Sequence, residues 1–288
     1  MSIIVENLCF SYKKGTPFEK KVLHDISLTV EDGEFLALIG PTQSGKTTLA
    51  QHFNALLIPH CGRVMVNEAD TQDPNTDLVA LRLQVGYVFQ NPDYQLFAPT
   101  VGEDIAFGPL NQKLPRTVIN DRVSEAMKIV NLVPEIFLNR DIYALSGGQK
   151  RRVAIAGVLA CQPQIMILDD ITAGLDPRGR DEILAVIRRL HREQNITIIL
   201  ISNSMDEAAE MADRIIVMNQ GQIILEGKTR AIFSHLDLLR SIGLELPESM
   251  NLVQQLQERG LAISSVPLNL DETIDLIAGS FRKGQGTT

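Results

Sequence analysis

Residues 40–48 read GPTQSGKTT, a run with closely spaced glycines, one lysine and three threonines. Gly40, Gly45, Lys46 and Thr47 fit the pattern G-x-x-x-x-G-K-[ST], with an apolar strand predicted before the run and a helix after it. Glycines let backbone N–H groups turn toward phosphate oxygens, and a helix N-terminus adds positive potential. We expect Lys46 to bridge the outer phosphates and the Thr47 hydroxyl to ligate Mg²⁺. The alternative is a glycine-rich turn with a solvated lysine.

A pair of carboxylates follows the apolar run IMIL at residues 165–168. The run predicts a buried strand, so Asp169 is expected at the carboxyl end of a sheet, beside the phosphate loop. We expect Asp169 to hold Mg²⁺, directly or through water, and Asp170 to lie nearest the attacking water. These two carboxylates could instead cap the turn that follows.

The segment ALSGGQKRRVAIAGVL predicts a second helix start, with Ser146 as its N-cap and Gly147 and Gly148 exposing bare backbone. This arrangement predicts a second anion site, distinct from the first. The alternative is an ordinary capped helix, which the other two motifs make less attractive.

Apolar strands alternate with helical segments through the middle of the chain, which argues for a parallel sheet buried on both faces. Short β-rich segments dominate the start, a helical insertion is predicted at about residues 91–160, and RIIVMNQGQIILEG predicts a hairpin. After residue 234 the sequence changes to short helical pieces. We therefore expect an α/β domain over residues 1–234 and a helical appendage over residues 235–288.

Composition limits the kinds of partner. The net charge of −8 gives no electrostatic reason to expect a nucleic acid as a partner. Three scattered cysteines form no Cys/His cluster, which is typical of free thiols in a reducing cytosol. The first residues do not resemble a signal peptide, and no apolar run is long enough for a membrane helix.

Together these motifs resemble the ATP-binding-cassette (ABC) ATPases. The resemblance rests on the phosphate loop, Gln90 after an apolar strand, LSGGQ at 145–149, LDD at 168–170 and AGLD at 173–176, and it extends over roughly residues 3–228. FQNPDYQLFAPTVGEDIAFGP, the GTPF insertion and the tail SIGLELPE are similar to the ATPases of energy-coupling-factor transporters, which import vitamins and metal ions. The implied fold is a P-loop nucleotide-binding domain with a mixed β core, an antiparallel β subdomain and a helical subdomain.

The resemblance also implies roles for individual residues. In such ATPases two cassettes meet head to tail, so the phosphate loop of one and the LSGGQ turn of the other enclose each ATP. Tyr12 matches the aromatic residue that stacks on adenine, although an ordinary strand tyrosine is an alternative. Gln90 matches a residue that reaches Mg²⁺ and water, and Asp176 matches an aspartate at the dimer seam. The implied ATP-binding loop residues are Gly40, Pro41, Thr42, Gln43, Ser44, Gly45, Lys46, Thr47 and Thr48, and the implied signature residues are Ser146, Gly147, Gly148 and Gln149.

Three positions depart from the family pattern. Gln43 occupies a loop position that is commonly glycine. Asp170 stands where a glutamate usually polarises water, and it is shorter by one methylene, or about 1.5 Å of reach. Asn203 stands where a histidine usually contacts the γ-phosphate, and an amide cannot take up positive charge. The alternative for Asn203 is a cap on the helix that begins near Met205.

The expected function is therefore the ATP-hydrolysing subunit of a membrane importer. The departures predict slow hydrolysis at this chain's own ATP site and favour a heterodimer with a second ATPase subunit over a homodimer. A transmembrane coupling subunit and a separate substrate-binding membrane protein are the other implied partners. We expect a peripheral location on the cytoplasmic face of the membrane. The alternatives are a regulatory cassette with little turnover and a soluble cassette ATPase without a transport role.

Overall fold

The computed structural model describes residues 2–259, 261, 263 and 266–284. Its strands are β1 (Ile3–Tyr12), β2 (Lys20–Val30), β3 (Phe35–Ile39), β4 (Cys61–Val66), β5 (Ala69–Asp70), β6 (Val85–Val88), β7 (Ile165–Asp169), β8 (Thr197–Ile201), β9 (Arg214–Asn219) and β10 (Gln222–Lys228).

Its α-helices are α1 (Lys46–Phe53), α2 (Leu78–Gln84), α3 (Val101–Asn111), α4 (Arg116–Ile129), α5 (Pro134–Phe137), α6 (Gly147–Leu159), α7 (Pro177–Gln194), α8 (Met205–Met211), α9 (Thr229–Ile232), α10 (Leu236–Ser241), α11 (Glu248–Glu258) and α12 (Leu270–Gly284). Short 3₁₀ turns lie at Pro92–Tyr94 and Ile142–Ala144. In the part of the chain that the structure describes, none of these helices has the length and apolarity needed to cross a bilayer.

The chain folds as two compact units that interleave in sequence. One unit comprises residues 1–34 and 47–201, and the other comprises residues 35–46 and 202–288. The phosphate-binding pattern is therefore divided between Lys46 and Thr47. The predicted domains at 1–234 and 235–288, with a helical subdomain at about 91–160, stay a prediction.

The larger unit contains two β-structures. An antiparallel sheet has the strand order β2-β1-β4-β5. Strands β6, β7 and β8 pair in parallel, with Val88 opposite Leu168 and Asp169 opposite Ile201. Every residue of β7 and β8 is buried, as expected for apolar strands that are covered on both faces. The carboxyl end of β7 thereby carries Asp169.

Helices of the larger unit bury one apolar face each. In α7 the buried residues are Ile183, Leu184, Val186, Ile187 and Leu190, at the spacing of one helical face. The helix ends at Asn195, which adopts the left-handed conformation (φ 52°) that often terminates helices. Helices α3, α4 and α6 pack on one another within the predicted helical insertion.

The smaller unit is built on β3 and β9, which pair in parallel, while β9 and β10 form the predicted antiparallel hairpin. Gln220 (φ 47°) and Gly221 (φ 78°) form the left-handed turn that a tight hairpin requires. Its core joins residues from β3 and β9 to residues of the helical tail, including Leu239, Leu246 and Met250. The tail after residue 234 is thus packed against the strands of this unit.

Candidate functional site

The phosphate loop leads from β3 to α1. Gly40 has a φ of 150°, and a Cβ atom there would lie 2.1 Å from the carbonyl oxygen of Met218, so only glycine fits. The Lys46 ammonium donates hydrogen bonds to the carbonyl oxygens of Gly40 (2.7 Å) and Pro41 (3.1 Å). These bonds hold the cationic group inside the loop, where anionic phosphate oxygens would be attracted to it.

Two further loop residues have distinctive environments. The Ser44 hydroxyl oxygen is buried and has no hydrogen-bond partner among the described residues, so it can still bind a polar ligand atom. Gln43 adopts a left-handed φ of 67°, a conformation that costs a non-glycine residue about 1–2 kcal/mol. The loop keeps the conformation that a glycine would favour although a glutamine is present.

Asp169 connects three elements at the end of β7. Its carboxylate is buried and accepts a hydrogen bond from the Thr47 hydroxyl (3.2 Å) on one oxygen and from the Tyr87 hydroxyl (2.8 Å) on the other. Burial and the charge of Asp169 raise the pKa of Tyr87, so Tyr87 stays protonated and remains a donor. The structure therefore brings together two of the three predicted Mg²⁺ ligands, Thr47 and Asp169, while the third, Gln90, forms a hydrogen bond with Asp170.

Asp170 lies beside the predicted water-binding residue. The Gln90 amide nitrogen donates a hydrogen bond of 3.3 Å to a carboxylate oxygen of Asp170. Arg151 is buried nearby and donates to the Phe89 carbonyl oxygen (2.9 Å), while burial lowers the pKa of its guanidinium and the Asp170 charge opposes that shift. Asp170 has a left-handed φ of 49°, which aspartate adopts more readily than most residues.

Tyr12 contacts the start of α1 and an aromatic cluster. Its hydroxyl lies 3.2 Å from the Thr48 hydroxyl, and its ring meets the Phe10 ring edge-on at 5.0 Å. Phe10 also packs against the rings of His52 and His60. Tyr12 remains 39% exposed, so part of the residue can contact a ligand. Adenine stacking at Tyr12 stays a prediction.

The LSGGQ turn is the start of α6. Ser146 and Gln149 form a reciprocal capping box, in which the Ser146 hydroxyl accepts from the Gln149 N–H and the Gln149 side chain accepts from the Ser146 N–H. Gly147 is exposed, and a Cβ atom there would meet nothing within 4 Å. Ser146, Gly148 and Gln149 line a hollow together with Asp176, so the predicted dimer-seam aspartate lies beside the signature.

Asn203 follows β8 and lines a hollow with Gly40, Pro41 and Thr42. The N-cap of α8 is Ser204, whose hydroxyl accepts from the Glu207 N–H. The alternative that Asn203 caps this helix is therefore wrong, because the next residue performs that role. Asn203 is exposed and lines the same hollow as the phosphate loop, where it is expected to contact the γ-phosphate.

Sequence reasoning missed Tyr87, Arg151 and His52. Tyr87 reads as an ordinary residue of an apolar strand, but its position two residues before Phe89 places it at the strand end that also carries Gln90. Arg151 reads as part of a solvated KRR run, yet it is buried. No local signal separates these residues from their neighbours, because their contacts come from distant segments.

The chain is similar in sequence to proteins of one known family. The family model described as "ABC transporter" matches residues 23–173, just over half of the chain. The energy-coupling factor transporter ATP-binding protein EcfA2 of Clostridium tetani is 50% identical over 264 residues, covering 92% of both chains. The EcfA2 protein of Caldanaerobacter subterraneus is 46% identical over 282 residues, covering 98% of both chains.

The chain belongs to the ABC transporter family. Within the ABC family its relatives are energy-coupling factor ATP-binding proteins, which confirms the predicted family, subgroup and activity of an ATPase coupled to transport.

Solved ABC structures have the same fold. The structure of cbiO1 from Clostridium perfringens, described as part of the ABC transporter complex cbiONQ, has a TM-score of 0.73 and 36% identity, covering 89% of this chain and 98% of that one. A post-hydrolysis dimer of the ATP-binding cassette MJ0796, bound to ADP and Pi, has a TM-score of 0.71 and 30% identity, covering 79% and 99%. These likenesses confirm the predicted fold class.

His52, on α1, provides a pH-dependent test of the packing of that helix. Its side chain is fully buried, its Nδ1 lies 2.7 Å from the Thr48 carbonyl oxygen, and burial lowers its pKa from 6.5 to about 4. Between pH 6.5 and 4 the unfolded chain binds a proton that the folded chain does not, so stability falls as pH falls. We expect about 2 kcal/mol of the stability at pH 7.5 to be lost by pH 5.0 through His52 alone.

Urea unfolding at pH 7.5 and pH 5.0 checks this expectation. His52→Gln should lose less stability on acidification than the wild type, by that amount. His235→Gln, which changes an exposed histidine, should match the wild type. Equal pH dependence in His52→Gln and the wild type would contradict the burial argument.

Proposed function

We propose that this ABC protein is the ATP-hydrolysing, energy-coupling subunit of an importer for vitamins or metal ions. The observation that carries the proposal is the 3.2 Å hydrogen bond between the Thr47 hydroxyl and the Asp169 carboxylate, which brings two oxygen ligands for a cation together. Lys46, the residue before Thr47 in the chain, would supply a cationic group for phosphate oxygens, as Mg·ATP requires.

Mg²⁺ fits the residues present. It prefers hard oxygen ligands and is usually bound by one or two carboxylates together with substrate phosphates. No group of three or more His, Cys, Asp and Glu side chains that could hold a metal occurs among the described residues, so phosphates would complete the coordination. Thr47 and Asp169 would hold the ion, which would neutralise charge on the transferred phosphoryl group.

The remaining site residues would position the reactants. Backbone N–H groups of the loop and the Ser44 hydroxyl would bind phosphate oxygens, and Tyr12 would stack on adenine. Gln90, bonded to Asp170, would orient the attacking water. Catalysis would then consist of positioning and charge stabilisation, with little covalent chemistry for the protein.

The exposed LSGGQ turn supports a role in a second ATP site. Ser146 and Gly147 are exposed, and Asp176 lies beside them. Bare backbone at the start of the 13-residue helix α6 would bind the phosphates of a nucleotide held by another cassette. The dimer of MJ0796 with ADP and Pi supports such pairing. We infer a heterodimer, because this chain's signature is intact while its own hydrolytic residues depart from the family pattern.

The other partners follow from the same proposal. A transmembrane coupling subunit would receive the conformational change, and a separate membrane protein would select the cargo. The protein would then be peripheral, on the cytoplasmic face of the membrane. The relation to cbiO1, described as part of the complex cbiONQ, supports a multi-subunit assembly. A nucleic-acid partner is not expected at a net charge of −8.

ATP binding by the full-length chain tests the core of this proposal. Lys46→Ala should weaken the binding of a fluorescent ATP analogue at least about tenfold, because a hydrogen bond to a charged group contributes about 1.5–3 kcal/mol. Lys128→Ala, which removes an exposed lysine on α4, should bind as the wild type does. Unchanged affinity in Lys46→Ala would refute the loop as the ATP site.

Single-turnover hydrolysis in the assembled complex tests the predicted slow site. Combining Asp170→Glu with Asn203→His should raise the rate at this chain's site on the order of 10²-fold, because a misplacement of about 1 Å can cost that factor. Asp170→Asn, which tolerates the same left-handed backbone, should lower the rate further. No gain in the double variant would show that these two residues do not limit turnover.

A further inference from the structure

The pairing of β6 with β7 places the side chain of Tyr87 on the same face of the sheet as Asp169. Tyr87 on β6 is opposite Ile167 on β7 in the parallel pair. Asp169 is two residues beyond Ile167, and residues two apart on a strand lie on the same face of the sheet. Tyr87 is buried, and its hydroxyl reaches Asp169 Oδ2 at 2.8 Å.

The two oxygens of Asp169 thus have different donors. Oδ1 accepts from the Thr47 hydroxyl, and Oδ2 accepts from the Tyr87 hydroxyl. A carboxylate held at both oxygens cannot rotate freely about its terminal bond, so one oxygen stays directed at Thr47. Residues that do not bind a metal themselves often orient its ligands in this way, by hydrogen-bonding to them.

We propose that Tyr87 is a positioning residue, which orients the Asp169 carboxylate toward the cation held by Asp169 and Thr47. This inference rests on the proposed Mg·ATP function. A tyrosine at this position is not required to fill an apolar strand, since its neighbours Val85 and Val88 are buried aliphatic residues. The hydroxyl supplies a neutral donor that satisfies a buried carboxylate and adds no charge near the phosphates.

Mn²⁺ binding to the full-length chain with ATP, followed by electron paramagnetic resonance, tests the role of Tyr87. Tyr87→Phe removes only the hydroxyl, and it should weaken Mn²⁺ binding 10- to 100-fold, the usual effect of losing such a partner. ATP affinity in excess EDTA should change less than twofold. Tyr143→Phe, which removes an exposed hydroxyl, should match the wild type. Mn²⁺ affinity within twofold of wild type in Tyr87→Phe, or an equal loss of ATP affinity in EDTA, would overturn the inference.

A double-mutant cycle shows whether Tyr87 acts through Asp169. In an Asp169→Asn background, Tyr87→Phe should have no further effect on Mn²⁺ affinity, and this background also removes the buried charge that could hinder folding of the single variant. The same 10- to 100-fold loss in that background would contradict a positioning role. If Asp169→Asn alone left Mn²⁺ binding unchanged, the proposed metal site itself would fail, whatever Tyr87 does.

A separate observation concerns two thiols in the antiparallel sheet. Cys9 on β1 is directly opposite Cys61 on β4, and neither forms a disulfide. Antiparallel partners have Cα atoms about 4.5–5.5 Å apart, within the span of a disulfide. Cys61 is exposed and Cys9 is half-buried. The Cys9 thiol donates a hydrogen bond of 3.7 Å to the Asn7 carbonyl oxygen, and the neighbouring Cys9 raises the pKa of Cys61.

The geometry points to a modification site, in which a peroxide converts the Cys9 and Cys61 thiols to an intramolecular disulfide. The Cys61 thiolate attacks the peroxide, breaking the O–O bond and giving a sulfenic acid and, for hydrogen peroxide, one water. The Cys9 sulfur then attacks the Cys61 sulfur, forming the S–S bond and releasing a second water. Two thiols lose two hydrogens and two electrons in total, and the peroxide gains them.

Hydrogen peroxide treatment of the full-length chain, followed by alkylation and peptide mass spectrometry, tests this site. We expect a crosslinked Cys9–Cys61 peptide pair, two hydrogens lighter than its reduced form, while Cys161 remains alkylated. Its rate should rise up to about tenfold per pH unit between pH 7 and 8, because the thiolate reacts.

The controls use the third cysteine. Cys161→Ser should still form the crosslink, and Cys9→Ser should instead retain an oxidised Cys61. Crosslinking between two molecules through Cys61, or sulfinic acid at Cys61 with Cys9 still alkylated in the wild type, would overturn the assignment.

Discussion

A buried carboxylate at the end of a parallel strand is the constraint on which this site depends. Taking the Asp169 carboxylate out of water is costly unless donors surround it. The Thr47 and Tyr87 hydroxyls are neutral donors that stabilise this charge. Under the proposed Mg·ATP function, the carboxylate would hold the cation.

The start of α6 also has backbone N–H groups that neutral side chains satisfy. Ser146 and Gln149 satisfy each other's backbone N–H groups, and Gly147 leaves the helix start uncovered. A helix start of this kind attracts anions, and Arg152 lines the same hollow as Ser146. One chain thus has a phosphate loop and a second anion-attracting surface, which accords with the proposed sharing of nucleotides between two cassettes.

Backbone conformation gives a physical context for two of the departures from the family pattern. Gln43 and Asp170 both have positive φ angles, of 67° and 49°. Aspartate tolerates this region better than glutamate, so the residue that stands in for the usual glutamate suits its local backbone. Glutamine has no such advantage over glycine at position 43, and nothing in the structure explains its presence. Asn203 is not the N-cap of α8, because Ser204 holds that position.

The sequence alone determined the family, the fold class and the identity of the motifs. The phosphate-loop pattern, the IMILDD strand end and the LSGGQ turn depend on local backbone conformation and on residues close together in the chain, which a sequence displays directly. Periodicity also identified the buried strands β7 and β8 and the hairpin of β9 and β10, because apolar runs and turn residues are local signals.

Only the tertiary structure decided which distant side chains meet. The Tyr87–Asp169 bond joins residues 82 apart, the facing thiols of Cys9 and Cys61 come from separate strands, and Arg151 is buried within a run that reads as solvated. The sequence also did not indicate that the two units interleave or that the boundary between them falls between Lys46 and Thr47. Such contacts depend on strand register and on packing between remote segments. Neither of these produces a periodic pattern in the sequence.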